Sequence, residues 1–155
     1  MDNIKKKDLR LQQFQALIQD ENNWIANLSN ASAFLNEVLD EINWVGFYLW
    51  NEMDQELILG PFQGKVACIR IQSGKGVCGT AYEKQETIVV PDVNQFPGHI
   101  VCDAASQSEI VVPLLRNGKA LGVLDVDAPV KNRFSDKDKE FLEGFVEILM
   151  DHYTE

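Results

Sequence analysis

The chain has 155 residues, 45% of them apolar, and a formal net charge of −10 at pH 7. This length and apolar content suffice for a hydrophobic core, and residues 1–155 are expected to form a single domain. The negative charge argues against a nucleic-acid partner, which would require clustered Lys and Arg. The charged N-terminus has no apolar stretch resembling a signal peptide or a membrane span, which predicts a cytoplasmic protein without membrane contact.

Two helices are predicted at the start of the chain. Apolar residues recur at helical spacing over Leu9–Ile18 and again over Leu28–Ile42. The polar pair Asn22–Asn23 separates the two stretches. We therefore expect two amphipathic helices joined by a short break.

Strands are predicted after these helices, because aromatic and β-branched residues become frequent there or alternate with polar ones. A loop at Ser73–Gly76 then leads to a short helix at Val77–Lys84. The predicted strands around it are Trp44–Trp50, Glu56–Phe62, Ala67–Gln72 and Thr87–Pro91.

A long irregular segment, Asp92–Ser108, comes next, and it is too apolar to be disordered, so we predict an ordered lid. A hairpin is predicted from Glu109–Leu115 and Ala120–Asp127, turning at Asn117–Gly118. The last helix should begin at Ser135, where Ser-Asp-Lys-Asp matches a capping box. This order, with brief connections, predicts an α+β fold whose antiparallel sheet carries helices on one or both faces.

All three cysteines, Cys68, Cys78 and Cys102, lie between Gly60 and Asp103. An odd number in a chain that looks intracellular favours redox or metal chemistry over a disulfide framework. Cys68, on a predicted strand, and Cys78 also fit the role of small buried hydrophobic residues. Cys102 lies on the polar part of the lid and is harder to explain by packing.

Three carboxylates form a second group of candidates. Asp125 and Asp127 are two apart on a strand and share one face, and a carboxylate on so apolar a strand is costly unless paired. A two-residue Asn-Gly loop would put Glu109 opposite Val126, on the other face. A three-residue loop ending at a left-handed Gly118 would put Glu109 opposite Asp125. We predict the three-residue loop, which crowds the carboxylates so that at least one pKa rises.

Two aromatic residues complete the set of candidates. Trp44 and Tyr48 are four apart on a strand, so they share a face with Gly46 between them. The gap at Gly46 is predicted to admit a small ligand between aromatic walls. The alternative is that both rings are ordinary core residues.

Taken together, eight ordered motifs resemble those of the free methionine-(R)-sulfoxide reductases, which are stand-alone GAF domains. The family fold is a roughly six-stranded antiparallel sheet with helices packed against it. Ala128 stands where many members have Ser. The motifs are Trp44-Val-Gly-Phe-Tyr48, Gly60-Pro-Phe-Gln-Gly64, Ala67-Cys68, Gly76-Val-Cys78-Gly79, Phe96-Pro-Gly-His99, Cys102-Asp103, Ser108-Glu109 and Leu124-Asp-Val-Asp127.

The resemblance implies reduction of the R-sulfoxide of free methionine. It implies Cys102 as nucleophile, Cys68 as the usual resolving thiol, and Cys78 as an alternative or accessory thiol. Such chemistry proceeds through a sulfenic acid and a disulfide, which a thioredoxin-type protein would reduce, and it needs no metal or organic cofactor. GAF domains often pair through their helices, which is consistent with a homodimer. The implied substrate-binding residues are Trp44, Tyr48, Glu109, Asp125 and Asp127.

Within this scheme, Glu109 and Asp125 are expected to bind the sulfoxide oxygen and to supply its proton. Asp127 is expected to help bind the amino group. Three other readings compete with it. Cys68, Cys78, His99 and Cys102 could bind zinc, although no C-x₂₋₄-C pair is present. A GAF domain without chemistry could act as a small-molecule sensor. A peroxide or disulfide sensor would use the same thiols but would explain neither the aromatic pair nor the carboxylates.

Overall fold

A computed structural model describes residues 8–100, 102 and 104–154. Its helices are Leu9–Ile18 (α1), Trp24–Val38 (α2), Gly76–Lys84 (α3) and Asp136–Asp151 (α4), with a 3₁₀ turn at Val93–Gln95. Its strands are Trp44–Asn51 (β1), Glu56–Gly64 (β2), Arg70–Gln72 (β3), Ile88–Val90 (β4), Ser108–Arg116 (β5) and Lys119–Ala128 (β6). Within these ranges, no helix is both long and apolar enough to cross a membrane.

The six strands form one sheet in the order β3-β2-β1-β6-β5-β4. Every neighbouring pair is antiparallel. This arrangement confirms the predicted α+β fold. Strands β1 and β6 lie at the centre, so their side chains are covered on both faces of the sheet.

One face of the sheet packs against α1, α2 and α4 in the larger of two cores. The rings of Phe14 and Phe145 stack there with 3.9 Å between centroids. The predicted capping box at the start of α4 is confirmed, since the Ser135 hydroxyl accepts from the Asp138 amide and the Asp138 carboxylate accepts from the Ser135 amide. The predicted core face of the hairpin is also confirmed: Ile110, Val112, Leu114, Leu124 and Val126 all lie in this core.

The opposite face is covered by α3 and by the segment that joins β4 to β5. Here a smaller core includes Trp44, Tyr48, Cys78, Val111 and Val123. Residues two apart on a strand share a face, so Glu109 lies on the same face as Val111, and Asp125 and Asp127 lie on the same face as Val123. This face therefore also carries the three carboxylates. The candidate site therefore lies between the sheet, α3 and the lid.

Some predicted elements have other bounds in the structure. Helix α2 ends at Val38, because Leu39 has an extended backbone. The predicted strand at 67–72 is reduced to β3, and Cys68 lies in the irregular connection before it. The carbonyl groups of Lys65 and Cys68 accept hydrogen bonds from side chains of β1 rather than from a neighbouring strand.

The predicted three-residue hairpin loop is wrong. Asn117 and Gly118 both have left-handed backbones, with φ of 52° and 76°. Arg116 pairs with Lys119, which leaves a two-residue loop of the type that Asn-Gly favours. The turn alone would have turned Glu109 away from the aspartates.

A β-bulge returns Glu109 to the face of the sheet that carries Asp125 and Asp127. The register between β5 and β6 shifts by one residue between Pro113 and Leu115, with Gly122 at the bulge on β6. Beyond the bulge, Glu109 pairs directly with Asp127 instead of with Asp125. All three carboxylates therefore share one face, as predicted, although by a different register.

Gly122 is expected to tolerate a side chain less well than Gly118. A methyl group at Gly122 would overlap the Tyr48 carbonyl oxygen, whereas the space around Gly118 is open. Gly118→Ala should lower the free energy of unfolding by about 1 kcal/mol, because the alanine would have to adopt a left-handed backbone but would meet no other atom. Gly122→Ala should cost at least about 2 kcal/mol more, because the backbone of β1 must also move. Urea unfolding measures both, and equal losses would contradict this account of the bulge.

Candidate active site

A thiol and two carboxyl groups meet on the inner face of the sheet. Strands β5 and β6 supply Glu109 and Asp125, which are 7% and 5% exposed, and α3 supplies Cys78. The Cys78 Sγ is 4.0 Å from Glu109 Oε2. One ligand atom from each of the three residues lies within 4.8 Å of the others. Asp127, half-buried and paired with Glu109 across the strands, extends the cluster.

These groups resist ionisation. Burial raises the pKa of Glu109 well above its usual range, and the neighbouring Asp125 raises it further. Burial and Asp127 raise the pKa of Asp125 in the same way. The pKa of the Cys78 thiol also rises, first through burial and then through the nearby carboxylates. These shifts favour the protonated carboxyl groups, which can donate protons, and they disfavour the Cys78 thiolate.

Three stacked aromatic rings form one wall of the site. Trp44 stacks on Tyr48, with centroids 5.9 Å apart, and on Phe62, with centroids 5.2 Å apart. Phe62 fills the predicted gap at Gly46, since a side chain built on Gly46 would overlap Phe62. The correction follows from the pairing of β1 with β2, which places Phe62 opposite Gly46 on the same face. The aromatic wall is therefore continuous.

The polar edges of two of these rings hold the segment that carries Cys68. The Trp44 indole N–H donates to the Lys65 carbonyl at 3.1 Å. The Tyr48 hydroxyl donates to the Cys68 carbonyl at 2.9 Å. Both aromatics thus fix the position of Cys68 in addition to lining the cavity.

Two of the three cysteines are joined. Cys68 and Cys102 form a disulfide between the connection after β2 and the lid. Cys78 is a free, buried thiol. The four ligands considered for zinc are therefore not assembled as a set in this state, since two of the sulfur atoms are bonded to each other.

The lid closes over the cluster. Ile100 packs onto Gly76 at the start of α3, and Asn43 donates to the Ser106 hydroxyl at 3.1 Å. The cavity, which is partly open to solvent, has a volume of about 40 Å³, room for a few water molecules but not for an amino acid. Val101 and Asp103, also in the predicted lid, lie outside the described residues. A molecule of the size of an amino acid would therefore need this segment to move.

His99, which the sequence analysis considered only among the possible zinc ligands, lies beside the carboxyl cluster. Its side chain is 15% exposed, with Nε2 3.9 Å from Glu109 Oε1. Burial lowers the pKa of His99, so the ring is mainly neutral at pH 7. Lys75, which lines the cavity, and Phe62, which stacks on Trp44, are further residues that the sequence analysis did not select. The Phe62 position could have been found from the motif that contains it, whereas the His99 contact depends on how the lid folds.

The chain matches the model of the GAF domain over residues 25–150. The free methionine-R-sulfoxide reductase of Escherichia coli is 51% identical, covering 86% of this chain and 79% of that protein. The enzyme of the same name from Saccharomyces cerevisiae is 47% identical, covering 95% and 87%. The chain belongs to the GAF family and, within it, to the free methionine-R-sulfoxide reductases.

A solved structure agrees with this placement in the reductase family. The structure described as fRMsr of Staphylococcus aureus in complex with substrate is 56% identical, with a TM-score of 0.89 and 94% of each chain covered. With nearly the whole of both chains covered, the two proteins share this fold.

The acid cluster should lower the stability of this reductase as the pH rises. Folding raises the pKa of Glu109 and Asp125, so the folded state binds more protons above about pH 4, where these groups ionise in the unfolded chain. Their stabilising effect is complete below that pH and is lost as the pH rises through the folded-state pKa. Glu109→Gln and Asp125→Asn should therefore gain stability relative to wild type as the pH rises above about 5.

Urea unfolding across this pH range tests the prediction, with Asp20→Asn as an exposed control that should follow wild type. A variant whose stability ran parallel to wild type at every pH would show that the acid in question is ionised in the folded state.

Proposed function

We propose that the protein reduces free methionine-(R)-sulfoxide to methionine, with Cys102 as the nucleophile. The observation that carries the proposal is the Cys68–Cys102 disulfide, which lies at a cavity lined by aromatic rings and by carboxyl groups whose pKa is raised. Relatives that are 47–51% identical are named for this activity.

The cavity offers complementary surfaces to each part of the substrate. The aromatic wall of Trp44 and Tyr48 suits the methyl group and sulfur atom. Glu109 and Asp125 suit the sulfoxide oxygen, and Asp127 the ammonium group. The carboxylate suits the start of α3, where Lys75 makes no side-chain capping bond and the first backbone N–H groups lie beside the cavity. A peptide-bound methionine has no free amino and carboxylate groups for the last two contacts.

Reduction begins with the lid open and Cys102 as a thiol. Its thiolate attacks the sulfoxide sulfur, Glu109 or Asp125 donates a proton to the oxygen, and the oxygen is transferred to Cys102 as a sulfenic acid while methionine leaves. Sulfur in the substrate is reduced and Cys102 is oxidised. His99, 3.9 Å from Glu109 and partly exposed, is placed to return a proton from solvent to the acid.

The sulfenic acid is then resolved by a second thiol. Cys68 attacks Cys102, the sulfenic hydroxyl leaves as water after protonation, and a disulfide forms. The disulfide between these two residues supports Cys68 in this role, and the raised pKa of the buried Cys78 thiol makes it the weaker attacker. A thioredoxin-type dithiol would reduce the disulfide and reopen the site.

We also propose a cytoplasmic location and a homodimer formed through the N-terminal helices. Leu9, Leu17 and Ile25 are 64%, 51% and 57% exposed on α1 and α2 and would supply the apolar contact. Light scattering gives the mass in solution, and a mass of one chain would contradict the dimer.

The proposed activity is tested by turnover of the separate R and S sulfoxides of free methionine with thioredoxin recycling. Only the R form should be consumed, and Cys102→Ser should abolish its turnover. Glu109→Gln and Asp125→Asn should lower kcat by about 10²–10⁴-fold if each supplies proton transfer. Binding of the R form by calorimetry without any turnover of wild type would instead indicate a sensor.

The same assay distinguishes the two candidate resolving thiols. Cys68→Ser should complete one turnover, releasing methionine and leaving a sulfenic acid on Cys102 that a dimedone probe labels. Its thioredoxin-dependent steady state should fall sharply, whereas Cys78→Ser should retain it. The reverse pattern would make Cys78 the resolving thiol.

A further inference from the structure

Cys78, Glu109 and Asp125 also have the geometry of a metal site. Their ligand atoms lie within 4.8 Å of one another and come from α3, β5 and β6. We propose that these three side chains bind a borderline-soft divalent cation of the Zn²⁺ class, and that the bound ion excludes the sulfoxide substrate.

The distances suit such an ion. Zinc binds thiolate sulfur at about 2.3 Å and carboxylate oxygen at about 2.0 Å, which separates the two ligand atoms by roughly 3.5 Å in a tetrahedral site. The Cys78 Sγ and Glu109 Oε2 are 4.0 Å apart. A shift of about half an ångström, within the range of a side-chain adjustment, would bring them to coordinating distance. His99 Nε2, 3.9 Å from the other oxygen of Glu109, is a candidate fourth ligand.

A second observation points to a missing partner at this position. The Oδ1 atom of Asp125 is buried and has no hydrogen-bond partner among the described residues. The Asp125 side chain lines the cavity and is 5% exposed. A buried oxygen of this kind normally has a partner, and a cation at the cluster would supply one.

The chemistry of the ligands selects the ion. A thiolate together with carboxylates and an imidazole suits Zn²⁺ or Co²⁺, whereas Mg²⁺ and Ca²⁺ prefer oxygen ligands alone. Asp127, opposite Glu109, adds a further carboxyl group that favours a double positive charge. This set differs from the zinc ligands considered from the sequence, because it uses neither Cys68 nor Cys102.

The site should be available in both redox states. Cys78 is free while Cys68 and Cys102 are joined, so disulfide formation does not remove any of the three ligands. A bound ion would occupy the carboxyl groups assigned above to the sulfoxide oxygen. Exclusion of substrate therefore rests on the proposed function, whereas metal binding itself does not.

Cobalt titration of the oxidised protein, without thiol reductants, tests the metal site directly. With Cys68 and Cys102 in the disulfide, Cys78 is the only thiol that can give a thiolate-to-cobalt charge-transfer band. We expect that band to appear at one Co²⁺ per chain and to disappear when Zn²⁺ is added. Absence of the band at millimolar Co²⁺ would overturn the proposal.

Matched variants assign the ligands. Cys78→Ser should abolish the band, and Glu109→Gln, which keeps the thiol, should weaken cobalt binding about 100-fold. Asp20→Asn, an exposed control, should bind like wild type. Unchanged affinity in Glu109→Gln would overturn the proposed ligand set even if Cys78→Ser failed to fold.

Competition separates this proposal from the proposed function. The double variant Cys68→Ser with Cys102→Ser keeps Cys78 as its only thiol and cannot turn over substrate. Free methionine-(R)-sulfoxide should displace cobalt from it and remove the band. Cobalt that stayed bound at saturating sulfoxide would uphold the metal site and contradict the placement of the substrate.

Discussion

The properties of the site depend on one free-energy cost, that of ionising several acidic groups inside the same cavity. Cys78, Glu109 and Asp125 are buried together, with Asp127 beside them, and charging any one disfavours charging the next. The cluster is tolerable because the other face of the sheet is a continuous apolar core that stabilises the fold independently. The same carboxyl groups that lower the stability of the folded state are the ones that the proposed proton transfer and metal binding would use.

The remaining parts of the site act around this cluster. The lid closes it, the aromatic wall supports the segment that bears Cys68, and the disulfide joins that segment to the lid. In the disulfide state the cavity has no room for a substrate. In the proposed reaction, reduction of the disulfide would both restore the nucleophile and remove the covalent link between the lid and the segment after β2.

Much of this could be predicted from the sequence because it depends on local patterns. Helical spacing, the Ser135 cap and strand alternation specified the elements, and the ordered motifs specified the family. The hairpin register could not be predicted by counting residues from the turn, because a bulge at Gly122 compensates for the two-residue loop. An isolated glycine within a strand was the available signal. The Phe62 packing at Gly46 and the His99–Glu109 approach depend on contacts between distant segments, which alternation does not encode.

Protonation of the cluster at neutral pH is the central claim, and carboxyl ¹³C NMR measures it most directly. The Glu109 and Asp125 signals can be assigned by their absence in Glu109→Gln and Asp125→Asn. We predict that at pH 7 at least one of the two keeps the chemical shift of a protonated carboxyl group, and that both titrate above the usual range of about 4. Two carboxyl groups that titrate near pH 4, each fully ionised at pH 7, would contradict the account.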